Sequence, residues 1–273
     1  MMTTTSIQAA APAPTQVTQR RVILSEWIKL RSLRSTVFSF LAAVVFTIGL
    51  GVLISALRAN DINHNRFSPA PGFDPTLVSL RGIYLAQLPI GVLGVLMITG
   101  EYTTGMIRAT LSAVPRRLPV LWAKAIVFAV AVFIVMGIAS LLAFEGGQAM
   151  LSGAGIHVGL SSPGAARAVL GGALYMMIVG LLGVGLGFLL RNTAGAIATL
   201  FGLLLVLPAI VDALPASLYN DLFRYLPMPA GTQAMTTVRD TSLLTPWAGI
   251  GVFSLYAVGA LAAGAVMLKR HDA

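Results

Sequence analysis

The stretch GEYTTGMIRATLSAVPRRLPVLWAK, Gly100–Lys124, decides how this chain is read. It is a polar, basic interruption that carries one acid, Glu101, and four bases, Arg108, Arg116, Arg117 and Lys124. Apolar runs near Ile83–Thr99 and Ala125–Phe144 flank it. Each is close to the length, about 20 residues, that a helix needs to cross a hydrocarbon core. The interruption is long enough for a short surface helix, and it sits where a soluble partner can grip it.

Working outward, four further runs meet the same requirement: Val37–Leu57, Ala168–Leu190, Ala194–Val211 and Trp247–Leu268. The composition agrees. Hydrophobic residues make up 57% of the chain and charged residues 10%, against about a quarter charged in soluble domains. The expectation is an all-α membrane protein with six transmembrane helices. Alternating strand patterns with polar interiors are absent, which argues against a barrel. The first nineteen residues hold no charge and no apolar run, so they read as a disordered tail before a single transmembrane domain over residues 20–273.

Charge orients the spans. With the N-terminus inside, the inner segments hold twelve bases and three acids, and the outer segments six bases and six acids. The whole excess of +9 then lies on one face, with both termini cytoplasmic. These bases are split among short juxtamembrane segments, which gives nucleic acid no continuous surface.

Two segments are neither span nor plain loop. In Arg20–Thr36 the residues Ile23, Trp27 and Leu30 recur at helical spacing, with Leu24 and Ile28 beside them. Glu26 can pair with Lys29 at i,i+3, while Arg31 and Arg34 add charge. This reads as a basic interfacial helix in the inner headgroup layer. Pro208–Pro246 is moderately apolar and is punctuated by Pro215, Pro227 and Pro229. It reads as one or two short external helices dipping into the outer leaflet, with Leu218, Leu222, Tyr225 and Leu226 along one face. In the fourth run, Gly180, Gly183, Gly185 and Gly187 predict close helix packing, within the chain or against a second copy.

Several chemistries find no residues. There is no cysteine, and His64, His157 and His271 are scattered, so no metal site or catalytic residue is expected. Gly100 and Gly105 have P-loop spacing, but Met106 and Ile107 stand where lysine and a hydroxyl are needed. Ionisable residues near mid-membrane are nearly absent, which weighs against an ion-coupled secondary transporter. A non-transporting scaffold or immunity protein remains as an alternative.

Together the six spans, the basic leading helix, the charged loop after span two and the external hairpin resemble the permease subunits of bacterial type-2 ABC exporters. SEWIKLRSLRST, Ser25–Thr36, resembles their basic opening segment, and GEYTTGMIRATLSAVPRR, Gly100–Arg117, their Glu-Tyr-x-x-Gly-x-x-Arg loop. The resemblance implies a cytoplasmic-membrane permease, without its own ATPase site, that works with an ATP-binding subunit and a second permease copy or paralogue. ATP and Mg would belong to that partner. It further implies that Glu101, Tyr102, Thr103, Thr104, Gly105, Met106, Ile107 and Arg108 form a coupling segment that docks on the ATPase. On that reading Thr103 or Thr104 caps a short helix, and Arg116, Arg117 and Lys124 are topological anchors. The apolar spans favour a hydrophobic or amphipathic cargo.

Overall fold

The computed structural model describes residues 19–106 and 117–270, and every regular element among them is helical. Six helices are long and apolar enough to cross a membrane: Arg34–Asn63, Ile83–Thr103, Leu118–Ser152, Ala165–Leu190, Thr193–Asp212 and Pro246–Lys269. Each contains the apolar run expected of it. The first and third extend furthest past those runs, because helical backbone bonding continues where apolar side chains stop. The 35 residues of the third rise about 52 Å, well beyond a core of about 30 Å.

The fourth span is the centre of the bundle. Its most apolar stretch is 72% buried, against 17% for the first span. Glycine explains the difference. A Cβ on Gly183 would stand 2.6 Å from the carbonyl oxygen of Gly91, and one on Gly94 would run into that of Gly180. Spans two and four therefore cross backbone to backbone, which only glycine allows. Of the two packings the sequence left open, these contacts lie within the chain. Tyr175 is fully buried on span four and donates to Gln87 Oε1 at 2.6 Å. Gln87 Nε2 donates in turn to the Tyr84 carbonyl at 2.8 Å, so this polar group inside the bundle is satisfied.

Spans one and five each contain a π-helical turn, Phe46–Leu50 and Gly202–Val206. The second has a local cause. Pro208 has no N–H to donate, and its ring crowds the carbonyl of Leu204 four residues back. Widening the preceding turn, with Leu207 N–H reaching back to the Gly202 carbonyl, relieves that crowding.

The segment between spans five and six folds as expected into short helices, Ala216–Leu222 and Pro227–Thr232, each followed by a 3₁₀ turn. The second pair is buried from Pro229 to Met235. Gly231 packs against Tyr175 of span four and Phe253 of span six. Tyr175 lies ten residues into its helix, so this short helix reaches about 15 Å along the bundle. It is covered by protein there, with Pro229 to Met235 buried.

Candidate functional site

The leading helix, Gln19–Ser32, is separated from span one by Leu33, whose extended backbone (φ −79, ψ 121) breaks the helical run. Its buried residues are Val22, Glu26 and Leu30, spaced four apart. Val22 packs with Val120 and Ala123 at the start of span three. Leu24, Trp27 and Ile28 are exposed, as are Arg31 and Arg34. The side turned to the bundle carries an acid, because that acid has partners there.

Those partners are two lysines, one local and one distant. Glu26 Oε1 accepts from Lys29 Nζ at 2.9 Å, the i,i+3 pair legible in the sequence. Glu26 Oε2 accepts from Lys124 Nζ at 2.6 Å. Lys124 also donates to Glu101 Oε1 at 2.7 Å, and Lys29 reaches the same oxygen at 3.1 Å. Four charges from the leading helix, the end of span two and the start of span three thus form a closed ring of zero net charge. Glu26 and Lys124 are each 1% exposed, Glu101 12% and Lys29 32%. Burial lowers the Lys29 pKa, but the hydrogen bond to Glu26 and the charges of Glu101 and Glu26 outweigh it. The ammonium stands above its ordinary 10.5.

Lys124, expected as a topological anchor, has its ammonium sealed between two carboxylates. Glu101, expected at the start of the coupling segment, turns one oxygen to the ring. The ring joins residues 98 and 72 positions apart in the chain, a separation that no local periodicity reveals.

Beyond Glu101 the chain leaves the bundle. Thr103 and Thr104 donate their hydroxyls to the Gly100 carbonyl at 3.0 and 2.8 Å, closing the last turn of span two. Gly105 follows with φ +71, the left-handed residue that commonly ends a helix. The two threonines thus help to finish span two. Tyr102 lies under the Arg191 guanidinium, 5.4 Å from ring centroid to Cζ. Arg191 also donates Nη2 to the Met267 carbonyl at 2.9 Å, which ties the end of span two to the ends of spans four and six. Met106 is 51% exposed. Ile107, Arg108 and Arg116 lie outside the described residues, as does the body of the expected coupling helix.

A cavity of about 500 Å³ adjoins the ring. Glu26, Lys29, Glu101 and Lys124 form one part of its wall, and Leu30, Leu33, Leu93, Leu96 and Met97 line its apolar part. At the opposite end of the bundle a second cavity, of about 340 Å³, lies among Tyr84, Asp212, Phe223, Pro229 and Gln233. Of the four residues expected along one face of the short helices, Leu218, Leu222 and Tyr225 are exposed and Leu226 is buried; from that stretch Phe223 lines the cavity. Nearby, Asp74 accepts from Leu77 N, Thr237 N, Thr237 Oγ1 and Val238 N at 2.6–3.2 Å. Arg167 donates to the Ala234 and Thr236 carbonyls. Among the described residues no cluster of three metal-ligating side chains occurs.

Six helices long and apolar enough to cross a membrane, led by a further helix and tied by a buried charge ring, define a polytopic membrane protein. The family model for the ABC-2 family transporter protein matches residues 22–209, and the chain belongs to that family. It is accordingly a permease subunit of an ABC transporter. No curated protein matches the chain.

Proposed function

We propose that this chain is the membrane-spanning half of an ATP-driven exporter of hydrophobic or amphipathic compounds, energised by a separate ATP-binding subunit. The observation that carries this reading is the charge ring at Glu101. The segment Glu101–Arg108 follows a residue that is ion-paired both to the leading helix and to span three. A push on that segment from a docked ATPase is delivered to three elements at once, since parting the buried Glu101–Lys124 contact would leave charge uncompensated. Met106 and Tyr102 offer apolar contact to the partner, and Arg108 offers charge.

In this reading the basic end of the bundle is cytoplasmic, and two permeases work with two ATPases in a bacterial cytoplasmic membrane. ATP closes the ATPase dimer, the segment and leading helix shift, and the spans open outward. Cargo leaves past the external helices. The test is co-expression with an ATP-binding subunit encoded beside the permease. Met106→Asp with Arg108→Ala, which spares the ring, is expected to abolish co-purification and stimulated ATP hydrolysis. Intact assembly and stimulation in that variant would remove the docking assignment.

A further inference from the structure

The cavity beside the charge ring has two unlike regions. Leu93, Leu96 and Met97 on span two, with Leu30 on the leading helix, make an apolar trough. From Leu93 to Gly100 it runs about 10 Å along the helix. Ser32, Leu33, Ser35 and Met106 are exposed at its mouth. Its volume, about 500 Å³, is in the range that holds a drug-sized molecule.

The hydrogen-bond inventory of the ring gives the sign of the charge this cavity suits. Both oxygens of Glu26 are taken, one by each lysine. Glu101 Oε1 is taken by both lysines. Each ammonium is thus held by two carboxylate oxygens. Glu101 Oε2 is the exception: it is buried and has no hydrogen-bond partner. A buried carboxylate oxygen left bare is a costly state that a donor relieves. An anion entering the cavity meets lysines already neutralised, whereas a cation with an N–H meets an acceptor in need of one.

We infer that this cavity is a loading site for an amphiphilic amine, whose ammonium donates to Glu101 and whose apolar body lies along Leu93, Leu96 and Met97. The inference rests on the permease reading and names the chemical class of its cargo. The site sits where the amine arrives from the cytoplasmic leaflet. Because Glu101 belongs to the ring, an ammonium bound there also draws on the carboxylate that ties the leading helix to spans two and three. Cargo and coupling segment then share one residue.

The experiment uses the full chain, purified with its ATP-binding subunit and placed in nanodiscs of phosphatidylcholine, with empty nanodiscs as background. The probe is quinacrine, a fluorescent amphiphilic amine, read by anisotropy; the anionic comparator is anilinonaphthalene sulfonate. Two variants are compared. Glu101→Gln removes the charge. Gly100→Leu adds bulk at a residue that lines the cavity, where a Cβ meets nothing within 4 Å, and it leaves all four charges of the ring in the sequence. The expected result is saturable quinacrine binding that weakens about tenfold or more in each variant, with no saturable binding of the anion.

Quinacrine binding that survives Gly100→Leu overturns the site. Binding lost in Gly100→Leu but kept in Glu101→Gln overturns the role of the carboxylate. An anionic phospholipid that co-purifies with the wild-type chain and is lost from Gly100→Leu overturns the assignment in favour of a lipid site. Co-purification of the ATP-binding subunit with the wild-type chain is scored separately. Its loss defeats the permease reading, and its persistence leaves that reading standing whatever the probe does.

Discussion

Replacing Lys124 by methionine tests the charge ring directly. Methionine keeps much of the side chain's length and volume but removes the charge, so the change isolates electrostatics from packing. Lys124 makes the two shortest contacts of the ring, at 2.6 and 2.7 Å, and is 1% exposed. Its loss leaves Glu26 and Glu101 sharing Lys29 alone, with a net negative charge buried. Removing one partner of a buried pair costs about 3–5 kcal/mol. For a chain of this size that is a fall in melting temperature on the order of 10 °C. Lys29→Met makes the contrast. Lys29 is 32% exposed, solvent screens its contacts, and its loss should cost about 1 kcal/mol or less. The double variant Glu26→Gln with Lys124→Met leaves a neutral Lys29–Glu101 pair and should regain a large part of the lost stability. The measurement is thermal melting in detergent by fluorescence-detected size exclusion. If Lys124→Met melts within about 2 °C of wild type, or Lys29→Met falls equally far, the ring does not hold this end of the bundle together.

Three further outcomes are expected. Gly183→Val forces a side chain into the carbonyl of Gly91 and should destabilise the bundle by about 1–3 kcal/mol. Gly202→Ala, where a Cβ meets nothing within 4 Å, should melt like wild type. Asp74→Ala removes a helix cap and three bonds to Thr237 and Val238. It should cost about 2 kcal/mol and expose the 236–245 loop to limited proteolysis, an effect that asparagine only partly reproduces. The raised Lys29 pKa fixes a sign for alkaline pH. Stability from a raised ammonium is full below its ordinary 10.5 and is lost as pH rises through the higher folded value. The gap in melting temperature between wild type and Lys29→Met should therefore close above pH 10.5; a gap that stays constant would contradict the pairing.

The six spans were legible because bilayer crossing imposes a length and composition that a single run displays by itself. The Glu26–Lys29 pair was legible because helical spacing brings i and i+3 together. The ring was not. Lys124 reads as one more base on the basic face, and only tertiary packing sets it between Glu26 and Glu101. Counting charges hid it further, since two lysines and two glutamates add nothing to the net. The glycines of span four announced close packing but not its partner, because glycine leaves no side-chain pattern that names the facing helix. Pro208 was visible as a break, but the π turn that accommodates it was not, as that adjustment belongs to the residues before it.

The two ends of the bundle differ in what can move. At the end opposite the ring, Asp74 and Arg167 grip Ala234, Thr236, Thr237 and Val238. The Pro227–Met235 piece is buried between spans four and six, and shifting it with the turn that follows would break several part-buried hydrogen bonds together. Ala216–Tyr225 is held more lightly: Tyr256 of span six donates to the Tyr225 carbonyl at 3.2 Å in an exposed position, and Leu218, Leu222 and Tyr225 are 50%, 46% and 45% exposed. If this end opens during transport, the opening belongs to the first external helix, with the second held as a fixed wall. The chain has no cysteine, so single substitutions report cleanly. In the assembled transporter, a thiol at Leu218→Cys should change its rate of alkylation by several-fold when ATP is trapped by a non-hydrolysing ATPase variant. A thiol at Ala234→Cys, where the native residue is 2% exposed, should stay slow in both states. Equal rates at 218 with and without trapped ATP, or a rate at 234 that rises, would place the moving element elsewhere.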